Sequence, residues 1–386
     1  MAEASIKLKL VTHLKRLGPV YRAAKWVRFQ AHQLGFAVLR RILPAAWPRF
    51  GPAKGRFSAL VERRAGRLAG EVVLEGQEVI PIPPGSLRLR AKLGQAGYQP
   101  WPIFWTRHDR ARLIGESALL LDNHKRACSE AMFRLLHFGM PDYHTLWLPP
   151  AIQLQGNWTS VLARSWDNSF YHWFMDCLPR LALLDRLPPD TKILVPAGLH
   201  SFQHDTLRWL GLEERSVPLP GRHLVAEHFY FSPPTVMTGC ANLYGVQFLR
   251  QKFLPHAEPP PLPVEKIYIQ RRGKTRGLVN EPELLAFLEA RGWRPVDLET
   301  LTLAQQIGLF AQARAVCGLH GAGFTNLLWC RPGCVAVELL AENFLNGCYE
   351  SLASCVAVEH RFLIQPADDQ SRIRVNLDQF ASNLPE

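Results

Sequence analysis

Residues 315–340 read AVCGLHGAGFTNLLWCRPGCVAVELL: an apolar strand from Ala315, a glycine-rich turn, an apolar helix, a Pro–Gly break and a second strand from Cys334 to Leu340. The turn sits where a strand hands over to a helix. Gly321 and Gly323 remove the Cβ atoms that would keep a ligand off the backbone. A helix starting at Phe324 to Asn326 aims free N–H groups and its positive dipole end into the same space. The turn His320-Gly321-Ala322-Gly323, with Asn326 behind it, therefore reads as an anion cradle whose simplest occupant is a phosphate or diphosphate. The same pattern also serves tight packing, so the neighbours decide between the two.

Around this stretch the pattern alternates. Lys266 to Gln270 reads as a strand, Asn280 to Ala290 as a helix capped by Asn280, Arg294 to Leu298 as a strand and Thr302 to Ala313 as a helix. After Leu340 come a helix from about Asn343 to Ser354 and a strand from Arg361 to Gln365. Strands alternating with helices of ten to fifteen residues make βαβ units and a parallel sheet. Ligands of such doubly wound, Rossmann-like domains bind beyond the carboxyl ends of the strands, where the glycine turn falls. The strand at Lys266 ends in Arg271-Arg272-Gly273-Lys274-Thr275-Arg276, four cations in six residues on the same sheet edge. Arginine forks match phosphate oxygens, so Arg271, Arg272, Lys274 and Arg276 are expected to supply a diphosphate's counter-charges.

Upstream, HAEPPPLP (256–263) is a stiff extended spacer and reads as a linker. The half before it is less regular, with strand-like runs at 71–74, 79–82, 118–121, 192–195 and 224–231 and helical ones at 170–186 and 204–210. A second α/β layer is expected there. Within it, SWDNSFYHWFMDCLPR (165–180) places His172 and Asp176 four apart on one helix face. A carboxylate so placed holds the imidazole tautomer and raises its basicity, as a general base requires; the alternative is a structural pair locking the helix. Glu338, near the end of its strand, is a candidate for a ribose or sugar hydroxyl, and His320 for a hydrogen bond to phosphate or sugar.

With 386 residues, 47% hydrophobic and 20% charged, the chain has material for two ordinary domains and is not disorder-like. The net charge of +12 is uneven: residues 1–56 carry twelve Lys/Arg and one acid, leaving 33 basic against 32 acidic residues in the remainder. Ile6, Leu10, Leu14 and Leu17, then Val20, Val27, Ala31, Leu34 and Val38, fall at helical spacing among those cations. This basic amphipathic extension suits an anionic membrane surface, and no nucleic-acid motif accompanies it. No apolar run reaches eighteen residues and no secretory signal opens the chain, so a cytoplasmic protein, peripheral at the inner face of the cell membrane, is expected. The eight cysteines contain no CxxC pair and no zinc-ligand spacing, so they read as buried thiols, with no metal.

Taken together, YHWFMDCLPRL, YIQRRGKTRGLVNE and GLHGAGFTNLLWCRPGCVAVEL, in this order and spacing, resemble glycosyltransferase family 61, including its bacterial capsular and surface-polysaccharide enzymes. The resemblance runs from about Asn157 to Gln365. It implies a GT-B-like α/β fold: two Rossmann-type domains facing a central cleft, here with a basic helical N-terminal extension. The corresponding division is 1–56 extension, 57–255 acceptor-side domain, 256–264 linker and 265–386 nucleotide-sugar-binding domain. It further implies inverting transfer of a sugar from a nucleotide sugar to a hydroxyl of a saccharide or lipid-linked acceptor. Arg271, Arg272 and the HGAG turn with Asn326 would hold the donor phosphates, and His172 with Asp176 would lie on the acceptor side. Inverting transfer needs one base and cations for the leaving diphosphate. No DxD motif occurs, so a metal-independent reaction without cofactor is expected, with UDP-sugars first among donors. An esterase would need GxSxG and a dehydrogenase GxGxxG at the first strand, and neither is present. A non-catalytic carbohydrate- or nucleotide-sugar-binding protein is the alternative.

Overall fold

In a computed structural model of the chain the described residues are 57–58, 70–74, 80–81, 86, 97–98, 100, 102–121, 127–128, 147–163, 169–236, 238–261, 264–271 and 276–385. The basic extension 1–56, and Arg272 and Lys274 among the expected phosphate ligands, lie outside them.

Strands β1 (Phe57–Ser58), β2 (Gly70–Leu74), β3 (Ile80–Pro81), β4 (Gly97–Tyr98), β5 (Ile103–Ile114), β6 (Leu119–Leu121), β7 (Ala127–Cys128), β8 (Ile152–Ser160), β9 (Lys192–Val195), β10 (Ser216–Pro218) and β11 (His223–Phe231) precede the proline run. After it come β12 (Lys266–Ile269), β13 (Arg294–Val296), β14 (Ala315–Leu319), β15 (Val335–Ala341) and β16 (Glu359–Gln365). The last five form one parallel sheet in the order β13-β12-β14-β15-β16. Both faces of β14 and nearly all of β15 are buried, which suits parallel strands covered by helices on both sides.

Helices α1 (Phe170–His172), α2 (Ser201–Trp209), α3 (Leu243–Phe253), α4 (Glu281–Glu289), α5 (Leu303–Gln312), α6 (Cys348–Cys355) and α7 (Leu377–Ala381) complete the set. Helix α5 starts on a reciprocal cap: the Thr302 hydroxyl accepts from the Gln305 amide at 3.1 Å, and the Gln305 side chain accepts from the Thr302 amide at 3.0 Å. Elements from Lys266 onward follow the expected alternation, with one shift. Helix α6 begins at Cys348 rather than near Asn343, because Glu342 to Gly347 forms the turn that carries Phe344.

The larger sheet departs from the expected Rossmann-type half. Within it β11-β8-β9-β10 and the short pair β1-β7 run parallel; β5 pairs antiparallel with β11, β6 and β2. The cause is local. Residues 115–118 return the twelve-residue β5 directly onto β6, and a four-residue connection cannot carry a parallel crossover. Strand β5 is not legible in the sequence because its middle, Arg107 to Arg110, is charged and partly exposed.

The two sheets share a core. Its largest apolar cluster runs from Val161 to Val358, and Phe174 meets Phe253 and Trp329 edge-on at centroid distances of 6.1 and 5.6 Å. The segment after α1 thereby docks on the 3-10 helix Ala322–Trp329 that follows the glycine turn. Arg250 of α3 closes that helix, donating to the carbonyls of Leu328 and Cys330 at 2.5 and 2.9 Å. The proline run is pinned as well: the Glu258 amide donates to the Ala304 carbonyl at 3.0 Å, and Pro260 is buried.

Gly308 on α5 lets that backbone approach, since a Cβ there would stand 1.8 Å from the Glu258 carbonyl oxygen. Gly308→Ala is expected to destabilise the protein by about 3 kcal/mol, the upper part of the range for overpacking. Thermal unfolding of the two proteins checks this, and an unchanged midpoint would show that the chain 256–264 lifts freely off α5.

Candidate active site

At the end of β12 the Gln270 amide still bonds to the sheet, donating to the Val296 carbonyl at 2.9 Å. Arg271 then turns across the sheet edge, and its Nη1 donates to the backbone carbonyl of His320 at 2.7 Å. The strand-end arginine and the glycine turn thus meet, as their placement on adjacent strands requires. A Cβ on Gly321 would stand 2.8 Å from that Nη1, and one on Gly323 would meet Ile269 Cγ2 at 2.9 Å and Leu298 Cδ1 at 3.0 Å. The glycines therefore make room for protein atoms: Gly321 for the guanidinium and Gly323 for the core. Ala322 is exposed at the tip of the turn.

Arg276, in the left-handed region at φ 55°, lays its guanidinium over the Phe344 ring at 4.4 Å. Burial lowers the pKa of both arginines, and the charge of Arg276 lowers that of Arg271 further. Among the described residues neither is paired with a carboxylate. Two half-buried, mutually repelling cations without an acid form a site that gains by accepting an anion.

Behind them, the Glu338 carboxylate is fully buried. Its Oε1 meets His320 Nδ1 at 2.5 Å and its Oε2 meets His360 Nε2 at 2.9 Å. Burial pushes its pKa up, but the charges and hydrogen bonds of His320 and His360 outweigh burial and hold it below the ordinary glutamate value. Glu338 is thus not placed as a sugar or ribose ligand, because both oxygens are taken and none of its surface is open. Its register explains this: Glu338 pairs with Gly318 on one side and Phe362 on the other, in the middle of the sheet. Asn326 is also internal. Its amide donates to Gln306 Oε1 at 3.0 Å and to the Gly323 carbonyl at 3.2 Å, and its Oδ1 accepts from Trp329 Nε1 at 3.1 Å. It locks the 3-10 helix and has nothing left for a phosphate.

His172 and Asp176 are joined as expected, at 2.6 Å from Nδ1 to Oδ2, but not on a regular α-helix. Helix α1 passes into a π-turn, Trp173–Cys177, and then a 3-10 stretch, Leu178–Arg186. Such wide turns cluster at functional sites. Thr238 Oγ1 donates to the same Asp176 oxygen at 2.7 Å. Asp176 is buried, while one fifth of the His172 side chain is exposed. Nδ1 is committed to the carboxylate, so proton transfer by this imidazole would run through Nε2.

A line of rings joins the two groups. His172 lies edge-on to Tyr171 at 5.3 Å, Tyr171 to Tyr349 at 5.7 Å, and Tyr349 lies 5.2 Å from His320. Burial raises the pKa of both tyrosines well above the ordinary value, so both are neutral phenols. The structure therefore assembles His172, Asp176, Arg271, Arg276 and the turn 320–323 about Tyr171 and Tyr349. Thr238, Phe344, Tyr349 and His360 were not legible as site residues. No motif or spacing marks them, and only the register and the turn at 342–347 bring them in. Among the described residues no group of three or more His, Cys, Asp or Glu is arranged to hold a metal ion.

The family model described as Glycosyltransferase 61 matches residues 170–337, from the start of α1 to the residue before Glu338. The chain is similar to the EGF domain-specific O-linked N-acetylglucosamine transferase of Drosophila melanogaster, 32% identical over 154 residues, which cover 36% of this chain and 29% of that protein. The chain thus spans under a third of that relative's length. Both comparisons point to glycosyltransferases, and the matched segment contains His172, Asp176, Arg271, Arg276 and the glycine turn.

The lowered pKa of Glu338 makes stability depend on pH. A carboxyl whose folded value lies below its unfolded one contributes stability above the unfolded value, and that contribution is lost as pH falls through the folded value. Glu338→Gln is expected to cost about 3 kcal/mol at pH 7, as for one partner removed from a buried ion pair. The gap to the wild type should narrow below the ordinary carboxylate range. Urea unfolding of both proteins at pH 7 and about pH 3 measures it, and a gap independent of pH would contradict an ionised Glu338.

Proposed function

We propose that this chain is an inverting glycosyltransferase that moves a sugar from a nucleoside diphosphate, with UDP favoured, to a hydroxyl of a saccharide or lipid-linked acceptor. The observation that carries the reading is the pair Arg271 and Arg276, half-buried and without acid partners, against the glycine turn inside the segment that matches the family. The donor's diphosphate is the anion that such a pair suits.

In this reading His172 Nε2 takes the proton of the acceptor hydroxyl while Asp176, steadied by Thr238, holds Nδ1–H and offsets the imidazolium charge. The acceptor oxygen bonds to the anomeric carbon from the face opposite the leaving group. The bond from that carbon to the diphosphate oxygen breaks, and its electron pair departs with the nucleoside diphosphate toward Arg271 and Arg276. Inversion follows from a single displacement, which one base and one cationic site can run.

The proposal keeps 265–386 as the donor-binding part and 57–255 as the acceptor side. It places the basic segment 1–56 on the anionic inner face of a cell membrane and the product in surface or capsular polysaccharide. No metal or other cofactor is assigned to the reaction, because the two guanidinium groups supply the positive charge that a metal would bring.

Two outcomes test the reading. His172→Ala is expected to lower transfer by about 10²- to 10⁴-fold while UDP still binds. Arg271→Ala should weaken UDP binding itself. Turnover retained by the His172 variant, measured with UDP-sugars and a panel of saccharide acceptors, would return that helix to a structural role. Transfer is also expected to survive EDTA, and activity lost in the chelator and restored by manganese would contradict metal independence.

A further inference from the structure

Glu338 is the middle of a polar chain that crosses four strands: Arg271 after β12, His320 after β14, Glu338 on β15 and His360 on β16. The last member is unusual. His360 has 4% of its side chain exposed, its Nε2 contacts Glu338 at 2.9 Å, and its Nδ1 is buried without a hydrogen-bond partner. An imidazole so placed donates its Nε2–H to the carboxylate, and a buried unpaired nitrogen is a cost that packing does not explain. What the imidazole provides is a hydrogen bond to Glu338 Oε2. That leaves Oε1 for His320 and fixes the ring plane of His320, whose own backbone carbonyl holds the Arg271 guanidinium at 2.7 Å.

We propose that His360, acting through Glu338, is a positioning residue for the diphosphate site: it sets His320 and, through the His320 carbonyl, the guanidinium of Arg271. His360 does not touch the anion. It lies beyond the segment 170–337 that matches the family. The inference rests on the reading of Arg271 as a diphosphate ligand.

Two amide variants separate positioning from filling of space. His360→Gln carries its amide where Nε2 stood and can still donate to Glu338, whereas His360→Asn carries it near the Nδ1 position and cannot reach. Titration calorimetry with UDP on the full chain reads the effect. His360→Asn is expected to weaken UDP binding about tenfold or more, the scale on which groups act when they orient a ligand-binding residue without touching the ligand. His360→Gln should bind within about threefold of the wild type, on the same scale. Equal UDP affinity in all three proteins, or equal losses in both variants that follow their melting temperatures, overturns the proposal.

Should His360→Asn not fold, imidazole ¹⁵N NMR of the wild-type chain decides. UDP is expected to move the resonances of both His320 and His360, and a His360 signal unmoved at saturation overturns the inference. A wild type that binds neither UDP nor pyrophosphate sinks the diphosphate reading together with this one. A wild type that binds UDP while His360→Asn binds equally well sinks this one alone.

Discussion

A carboxylate with no exposed surface, held between two imidazoles in the middle of a five-stranded parallel sheet, is the constraint from which the candidate site is built. An ion so buried is tolerated only when its oxygens are fully engaged, so Glu338 dictates where His320 and His360 stand. His320 is the first residue after β14 and its carbonyl receives Arg271, so the constraint passes from the sheet interior to the rim. Gly321 leaves the space that the guanidinium fills: a side chain there would displace Arg271 from the His320 carbonyl. The candidate anion site thus stands on the sheet beneath it.

The order of strands and helices after Lys266 could be read directly, because apolar runs broken by Thr302, Pro332-Gly333 and a glycine turn leave few other arrangements. So could the meeting of Arg271 with the turn, since adjacent parallel strands bring their carboxyl ends together. The fate of Glu338 and Asn326 was not legible. Each has the residue type of a ligand at the position of a ligand, and only the register shows that two histidines claim one and Gln306 and Trp329 the other. The mixed larger sheet was illegible for a related reason. Strand β5 is charged in its middle, and strand pairing across more than a hundred residues, His223 with Ile114, leaves no local trace.

The proposed base and the proposed anion site come from distant parts of the chain, and the shared core joins them. Phe174, two residues past His172, is held against Trp329 at the end of the 3-10 helix, and Tyr171, one residue before it, is held against Tyr349. Flanking contacts of this kind fix a helix in translation and in rotation. Asp176, on the π-turn, bonds back to His172 while Phe174 stays buried. Precise placement of a base is worth more than its basicity when the partner groups sit on another sheet.

Among the described residues Arg271 and Arg276 have no carboxylate partner, and the proposed final step depends on that. Had each been paired with a carboxylate, the site would hold a donor diphosphate weakly and would gain little as the sugar–phosphate bond breaks. In the proposed transfer, negative charge on the diphosphate grows along the reaction, while the two guanidiniums are fixed beforehand by the His320 carbonyl and by the Phe344 ring. Charges that do not move, in surroundings that already depress their pKa, interact more strongly with the departing group than with the intact donor. Their mutual repulsion in the free protein is relieved by the product of the cleavage step, so the site is complementary to the charge that the reaction creates.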